Sequence, residues 1–232
     1  MRMSAVNRFS LVSALAGIAL LIGAPVAWSM AQPETTVGDL DAVTGTAPSH
    51  EVILPDLDLD DAVPGLVPDL SPVEAPEPEA EPVADPTSIS LPSIGVEAPI
   101  VNVALEDDGG MEIPHDVSTT GWYELGVAPG EATGTAIISG HVDSREQGRG
   151  AFWDLRRMEV DDLVTVDHAD GTSSEWRVVA RTSYAKDELP IADIFTRFGE
   201  PRLVLITCDG YFDRDARSYS DNVVVYTVPV DA

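Results

Sequence analysis

The sequence predicts a mostly β fold, a barrel or a sandwich, for the 145 residues from 88 to 232. Three observations carry this. Seven or eight short segments alternate apolar and polar residues or run continuously apolar, as half-buried and fully buried strands do. Turn signals rich in Gly and Asp separate them. Helical spacing is confined to two short stretches, which leaves sheet-on-sheet burial or closure as the way to make a core.

Taken in order, Ile89-Ser90-Leu91 alternates and is stopped by Pro92. Residues 98–104 form the next strand, and Glu106-Asp107-Asp108-Gly109-Gly110-Met111 is a turn in which glycine supplies positive φ. Residues 119–123 lead into a loop with Pro129-Gly130, and residues 134–141 are strongly apolar. Residues 152–158 read as a short helical turn. Residues 163–168 and 175–182 are strands joined by Ala169-Asp170-Gly171-Thr172, a hairpin signal. Residues 189–198 read as a short helix or an ordered loop, and residues 203–208 and 222–228 are the last strands. The segment is long enough to bury a core.

Two regions precede this domain. Residues 1–31 carry Arg2 and Arg8, then an uncharged run over 11–28. This is the pattern of an export signal with its N-terminus in the cytoplasm. The run approaches the ~20 residues that span a bilayer, which favours a retained signal-anchor holding the domain outside the cell membrane as a single-pass protein. Ser29-Met30-Ala31 offers a cleavage site as the alternative. Residues 32–87 contain ten prolines, fourteen acidic residues and no Lys or Arg. Proline removes backbone donors and like charges repel, so this region reads as an extended, disordered linker.

The composition also excludes. A net charge of −27, from 40 acidic and 13 basic residues, argues against nucleic acid as a partner, because phosphate binding needs clustered Lys and Arg. One cysteine permits no intramolecular disulfide, and with four histidines it makes a closed zinc site improbable. Of the basic residues twelve are Arg and one, Lys186, is Lys.

The single thiol, Cys208, follows the apolar run Leu203-Val204-Leu205-Ile206 and stands before Asp209-Gly210, so it lies where a buried strand emerges into a turn. His141 ends a matching run, Ala136-Ile137-Ile138-Ser139-Gly140. A cysteine nucleophile acts as thiolate and needs a neighbouring imidazole or cation, and two strand ends can bring these groups together. Taken singly, each has a structural reading as a small core thiol or a hydrogen-bonded ring. His141-Val142-Asp143 hints at a metal pair without the ligands to complete it. The acidic turns at 106–108 and 167–170 lack the ligand spacing of a calcium loop. No Gly-x-Ser-x-Gly elbow is present.

Together, Ile137-Ile138-Ser139-Gly140-His141-Val142-Asp143 and Leu203-Val204-Leu205-Ile206-Thr207-Cys208-Asp209-Gly210 resemble the two signature strands of the sortases. Ser90-Leu91-Pro92-Ser93-Ile94-Gly95-Val96, Gly121-Trp122-Tyr123, Tyr184-Ala185-Lys186-Asp187 and Tyr219-Ser220-Asp221-Asn222-Val223 bring the pattern nearest to class F. The resemblance implies an eight-stranded β-barrel with one or two short helices. It implies a cofactor-free cysteine transpeptidase that cleaves Leu-Pro-x-Thr-Gly sorting signals on surface proteins, forms a thioester and passes the acyl group to an amine such as a peptidoglycan precursor. Cys208 would then be the nucleophile and His141 the general acid and base. The family's arginine falls on Arg217, or its place is taken by Asn222 presenting an amide to the substrate. Leu189, Ile194 or Phe195 would line the groove for the signal's Leu-Pro. The competing readings are a non-catalytic β domain on a stalk and a cysteine hydrolase using water.

Overall fold

The computed structural model describes residues 35–40, 82–107 and 109–230. The apolar run of the expected signal-anchor and most of the acidic linker lie outside them. Among the described residues no helix is long and apolar enough to cross a membrane.

The strands are β1 (Thr36–Gly38), β2 (Pro86–Leu91), β3 (Val96–Val103), β4 (Thr120–Tyr123), β5 (Thr135–Gly140), β6 (Asp143–Ser144), β7 (Gly148–Arg149), β8 (Leu163–His168), β9 (Ser173–Ala185), β10 (Arg202–Asp213) and β11 (Ser218–Pro229). One α-helical turn, α1 (Ile191–Ile194), and 3-10 turns at Pro92–Ile94 and Leu155–Arg157 complete them. In the large sheet the order is β9-β11-β10-β5-β4-β3-β2-β8, and a β8–β9 ladder closes it into an eight-stranded barrel. β3–β4 and β5–β10 are parallel; the other barrel ladders are antiparallel. Each of the eight strands expected from the sequence is present. β9, β10 and β11 run longer than expected; β10 and β11 continue past Cys208 as a two-stranded ribbon to a turn at 214–217, and β9 extends along β8 and β11.

Side-chain alternation gives the barrel two apolar faces. Ala136 and Ile138 of β5, Leu203 and Leu205 of β10, Val223 and Val225 of β11, and Trp176 and Val178 of β9 fill the interior. The opposite parity carries Ile137, Val204, Val224 and Tyr226, which form a second cluster outside the barrel with Ala180 and Ile194. Burial on both faces explains why β5 and β10 read as continuous apolar runs. The connection from β9 to β10, with α1 in it, covers the outer cluster.

β1 corrects one boundary. Thr36–Gly38 falls inside the stretch expected to be linker, yet it pairs antiparallel with β9, Thr36 opposite Thr182 and Gly38 opposite Ala180. The cause is an open edge. β8 covers β9 only from Ser173 to Arg177, and β1 takes up the ladder beyond it. Thr36 and Thr182 hydroxyls hydrogen-bond at 2.7 Å, and Leu40 packs on the outer cluster.

Candidate active site

The parallel ladder of β5 and β10 sets the site. Its pairs, from Arg202 with Thr135 to Ile206 with Ser139, keep a constant offset. The same offset carries Cys208 to His141, just past the last ladder pair. Thr207 extends the join by donating its hydroxyl to the Gly140 carbonyl at 2.8 Å in a buried position. Strands in a ladder stand about 4.8 Å apart, so Cys208 and His141 are neighbours at the ends of adjacent strands. Both belong to the outward parity, above Ile206 and Ser139 and then Val204 and Ile137.

His141 is held by close backbone packing. Phe152 N donates to the His141 carbonyl at 3.1 Å, and Gly150 N donates to the Val142 carbonyl at 2.9 Å. A Cβ on Gly150 would overlap the His141 carbonyl oxygen, and one on Gly140 would lie 2.8 Å from the Phe152 ring. The ring Nε2 lies 2.9 Å from the Pro114 carbonyl oxygen. A carbonyl can only accept, so Nε2 carries a proton in this geometry and Nδ1 is the nitrogen available to exchange one.

The antiparallel ladder with β11 sets the other side. Asn222 stands opposite Cys208 in register, and Tyr184 of β9 stands opposite Asn222. Asn222 is therefore on the strand beside the thiol, half-buried, where a side-chain amide can reach a bound peptide. Arg217 is not in this row of strand residues. It lies in the turn after Asp213, five residues beyond Cys208 along the ribbon, with a positive φ of 52°. There it lines a cavity of about 870 Å³ with Arg214, Arg145, Asp143, Phe212 and Tyr219.

The thiol's electrostatics are mixed. Burial pushes the Cys208 pKa up from its ordinary value, the Lys186 ammonium pulls against it by charge and by a hydrogen bond, and Asp143 and Asp209 push it up again. Asp209 accepts from the Ser183 hydroxyl at 2.8 Å and faces Arg156 at 3.9 Å. Tyr219 donates its hydroxyl to Asp143 at 2.9 Å. Burial first, and then that bond, raise its pKa to about 12, so it stays a neutral donor. The sequence motifs contained Lys186 without a role; its being the only lysine of the chain was the signal available.

Below this row lies the apolar outer cluster. Leu189 and Phe195 are half-buried on it, and Phe195 meets Tyr123 edge-on at 5.4 Å. Phe195 also lines a cavity of about 360 Å³ with Tyr123, Leu125, Ile137 and Phe198. Ile194 differs from its expected place as a groove residue. It is 0% exposed, because the turn of α1 points it into the outer cluster, and it supports the wall from behind. Among the described residues no group of His, Cys, Asp and Glu is arranged to hold a metal.

A closed, eight-stranded barrel that ends two neighbouring parallel strands in His and Cys defines a class of cysteine enzyme fold. The sortase-domain family model matches residues 89–230, and the chain belongs to the sortase family. Among solved structures, sortase C-1 from Actinomyces oris is 21% identical, with 64% of this chain and 76% of that one covered at a TM-score of 0.51. Sortase A from Corynebacterium diphtheriae is 20% identical, at 65% and 62% coverage and a TM-score of 0.50. Sortase C1 of Streptococcus agalactiae is also 20% identical, at 63% and 67% and a TM-score of 0.50. At these identities the likeness is one of fold, and the chain spans 62% of the Corynebacterium protein's chain. The class F pattern rests on the sequence motifs alone. No curated protein sequence matches the chain.

Proposed function

We propose that this domain is a cysteine transpeptidase that cleaves Leu-Pro-x-Thr-Gly-like sorting signals and transfers the carrier protein to an amine of the cell wall. The observation that supports it most is the shared register and shared face of Cys208 and His141 above an apolar floor. In this reading the Cys208 thiolate attacks the threonine carbonyl carbon. The C–N bond to glycine breaks, and the imidazolium of His141 gives its proton to the leaving amine. An incoming amine then attacks the thioester, gives a proton back to His141 and releases the thiolate. A thioester keeps the acyl group activated, so the amide bond energy is not lost to water.

Asn222 hydrogen-bonds the signal backbone beside the sulfur, and Leu189 and Phe195 hold the Leu-Pro side chains, with Ile194 behind them. The cavity with Arg145, Arg214 and Arg217 is also lined by Asp143 and Tyr219, both of which interact with the thiol. Residues 1–31 anchor the chain in the cell membrane, and the acidic residues that follow space the domain outward toward its carrier proteins and a peptidoglycan-type amine.

The test is incubation of the chain with a Leu-Pro-x-Thr-Gly peptide, followed by intact mass. An acyl-enzyme on Cys208 is expected, with a transpeptidation product when an amine is added and none in Cys208→Ala. Turnover by Cys208→Ala refutes the mechanism, and product ratios indifferent to added amine assign a hydrolase.

A further inference from the structure

We infer that Lys186 is a catalytic residue: its ammonium group is the cation beside Cys208, favouring the thiolate over the thiol from the β9 side of the site. The inference rests on the thioester reading above and gives to Lys186 the charge expected of Arg217.

The placement follows from register. Cys208, Asn222 and Tyr184 stand in one row across β10, β11 and β9. β9 ends at Ala185, opposite Asp221, and Lys186 is the next residue. Its backbone remains tied to β11, since Lys186 N donates to the Ser220 carbonyl at 3.2 Å. From there the flexible four-carbon stem turns back over the ribbon. Nζ donates to the Ser218 hydroxyl at 2.7 Å, close enough to Cys208 for its charge and hydrogen-bonding capacity both to favour the thiolate. The serine fixes the head of the lysine while two further ammonium protons remain for the sulfur and for a substrate oxygen. In a chain of 40 acidic residues, the only lysine acts electrostatically on the only cysteine.

The charges around the sulfur show why a cation is needed there. Asp209 on β10 and Asp143 after β5 both disfavour a thiolate, as does burial. Arg156, from the 3-10 turn, is turned to Asp209 at 3.9 Å. Tyr219 on β11 is neutral and bonded to Asp143. His141, from the end of β5, directs Nε2 to Pro114. Lys186 is the group whose charge and hydrogen bond both favour the thiolate. Arg217, in the turn just before Ser218, is not among the groups that act on the sulfur.

Because Cys208 is the single thiol, its alkylation reports on this pair alone. The rate of reaction with iodoacetamide is followed against pH for the full chain and for Lys186→Met, Lys186→Arg and Arg217→Met. Lys186→Met is expected to raise the apparent thiol pKa by roughly one unit or more, and Lys186→Arg to restore most of it. Acylation by the sorting-signal peptide is expected to fall about 100-fold in Lys186→Met and to recover in Lys186→Arg. An unmoved thiol pKa in Lys186→Met, or a rise in Arg217→Met in its place, overturns the inference. If no peptide acylates the unaltered chain, the transpeptidase reading fails, and the alkylation profiles still decide for or against the Lys186–Cys208 pair. If Lys186→Met is acylated at the full rate, the reading stands and the role of Lys186 falls.

Discussion

The two flanks of Cys208 are built differently. On the parallel side, β5 brings His141 from 67 residues earlier, and the contact is set by one constant ladder offset and by buried packing of Gly140 against Phe152. On the antiparallel side, β11 and then β9 bring Asn222, Tyr184 and Lys186, and the contacts are hydrogen bonds of half-buried or exposed polar groups. The first flank is rigid core that happens to end in a functional group. The second is a polar edge whose geometry depends on side chains reaching sideways. Proton transfer needs a fixed donor, whereas a peptide must slide in and out, so rigidity on one flank and reach on the other suit the two tasks.

The largest expected effect breaks the rigid flank. His141→Gln keeps a polar group at the end of β5 but cannot hold an ionisable proton. Acylation by a sorting-signal peptide is expected to drop by about 10³-fold, or roughly 4 kcal/mol of barrier. Melting should stay close to the parent because His141 is only half-buried. A variant that retains a tenth or more of the single-turnover acylation rate would remove His141 from the proton path.

That difference between flanks also decides what the sequence could reveal. β5 and β10 are legible because they are apolar on both faces, and their last residues stand out as His141 and Cys208 against that background. The eight barrel strands follow from the same alternation. Proximity in sequence points to Arg217, but β10 and β11 continue past Cys208 as a ribbon, and Arg217 falls in the turn of that ribbon, lining a cavity with Asp143 and Tyr219. Lys186 is 22 residues from Cys208 and two strands away, so only the order β9-β11-β10 reveals the meeting. Ile194 is legible as an apolar residue of the covering loop, but periodicity over one helical turn cannot say which side faces the cleft, and the side chain is fully buried. β1 was hidden by composition, since three residues of strand inside an acidic, proline-rich stretch leave no periodic trace.

A smaller effect is expected at the outer margin of the polar flank. Gly38 of β1 has φ of 83°, and a Cβ there would overlap the Val179 carbonyl oxygen. Gly38→Val should therefore unseat Thr36–Gly38 from β9 and lower stability by about 1–2 kcal/mol, read by denaturant unfolding. The thiol's reactivity should hardly change, since Ala180–Thr182 lies below the row of Cys208. An unaltered midpoint would mean that β1 contributes nothing to the barrel.

The smallest expected effect tests a contact that joins the flanks. Tyr219 of β11 donates to Asp143, which follows His141 after β5, so the bond links the two sides of β10. Asp143→Asn keeps an oxygen for Tyr219 to donate to and removes the charge. A carboxylate near a thiol disfavours the thiolate, so Asp143 is among the causes of the raised Cys208 pKa, behind burial. Removing it should move the thiol pKa down by less than about one unit, and the alkylation profile should slide toward lower pH. The sign is opposite to that of Lys186→Met, which removes the charge that favours the thiolate. Combining the two substitutions separates charge from architecture. If both act through the field at the sulfur, the double variant should lie between the single ones. If Asp143 instead holds the flanks together through Tyr219, Asp143→Asn should slow peptide acylation without shifting the alkylation profile, and Tyr219→Phe should reproduce that loss.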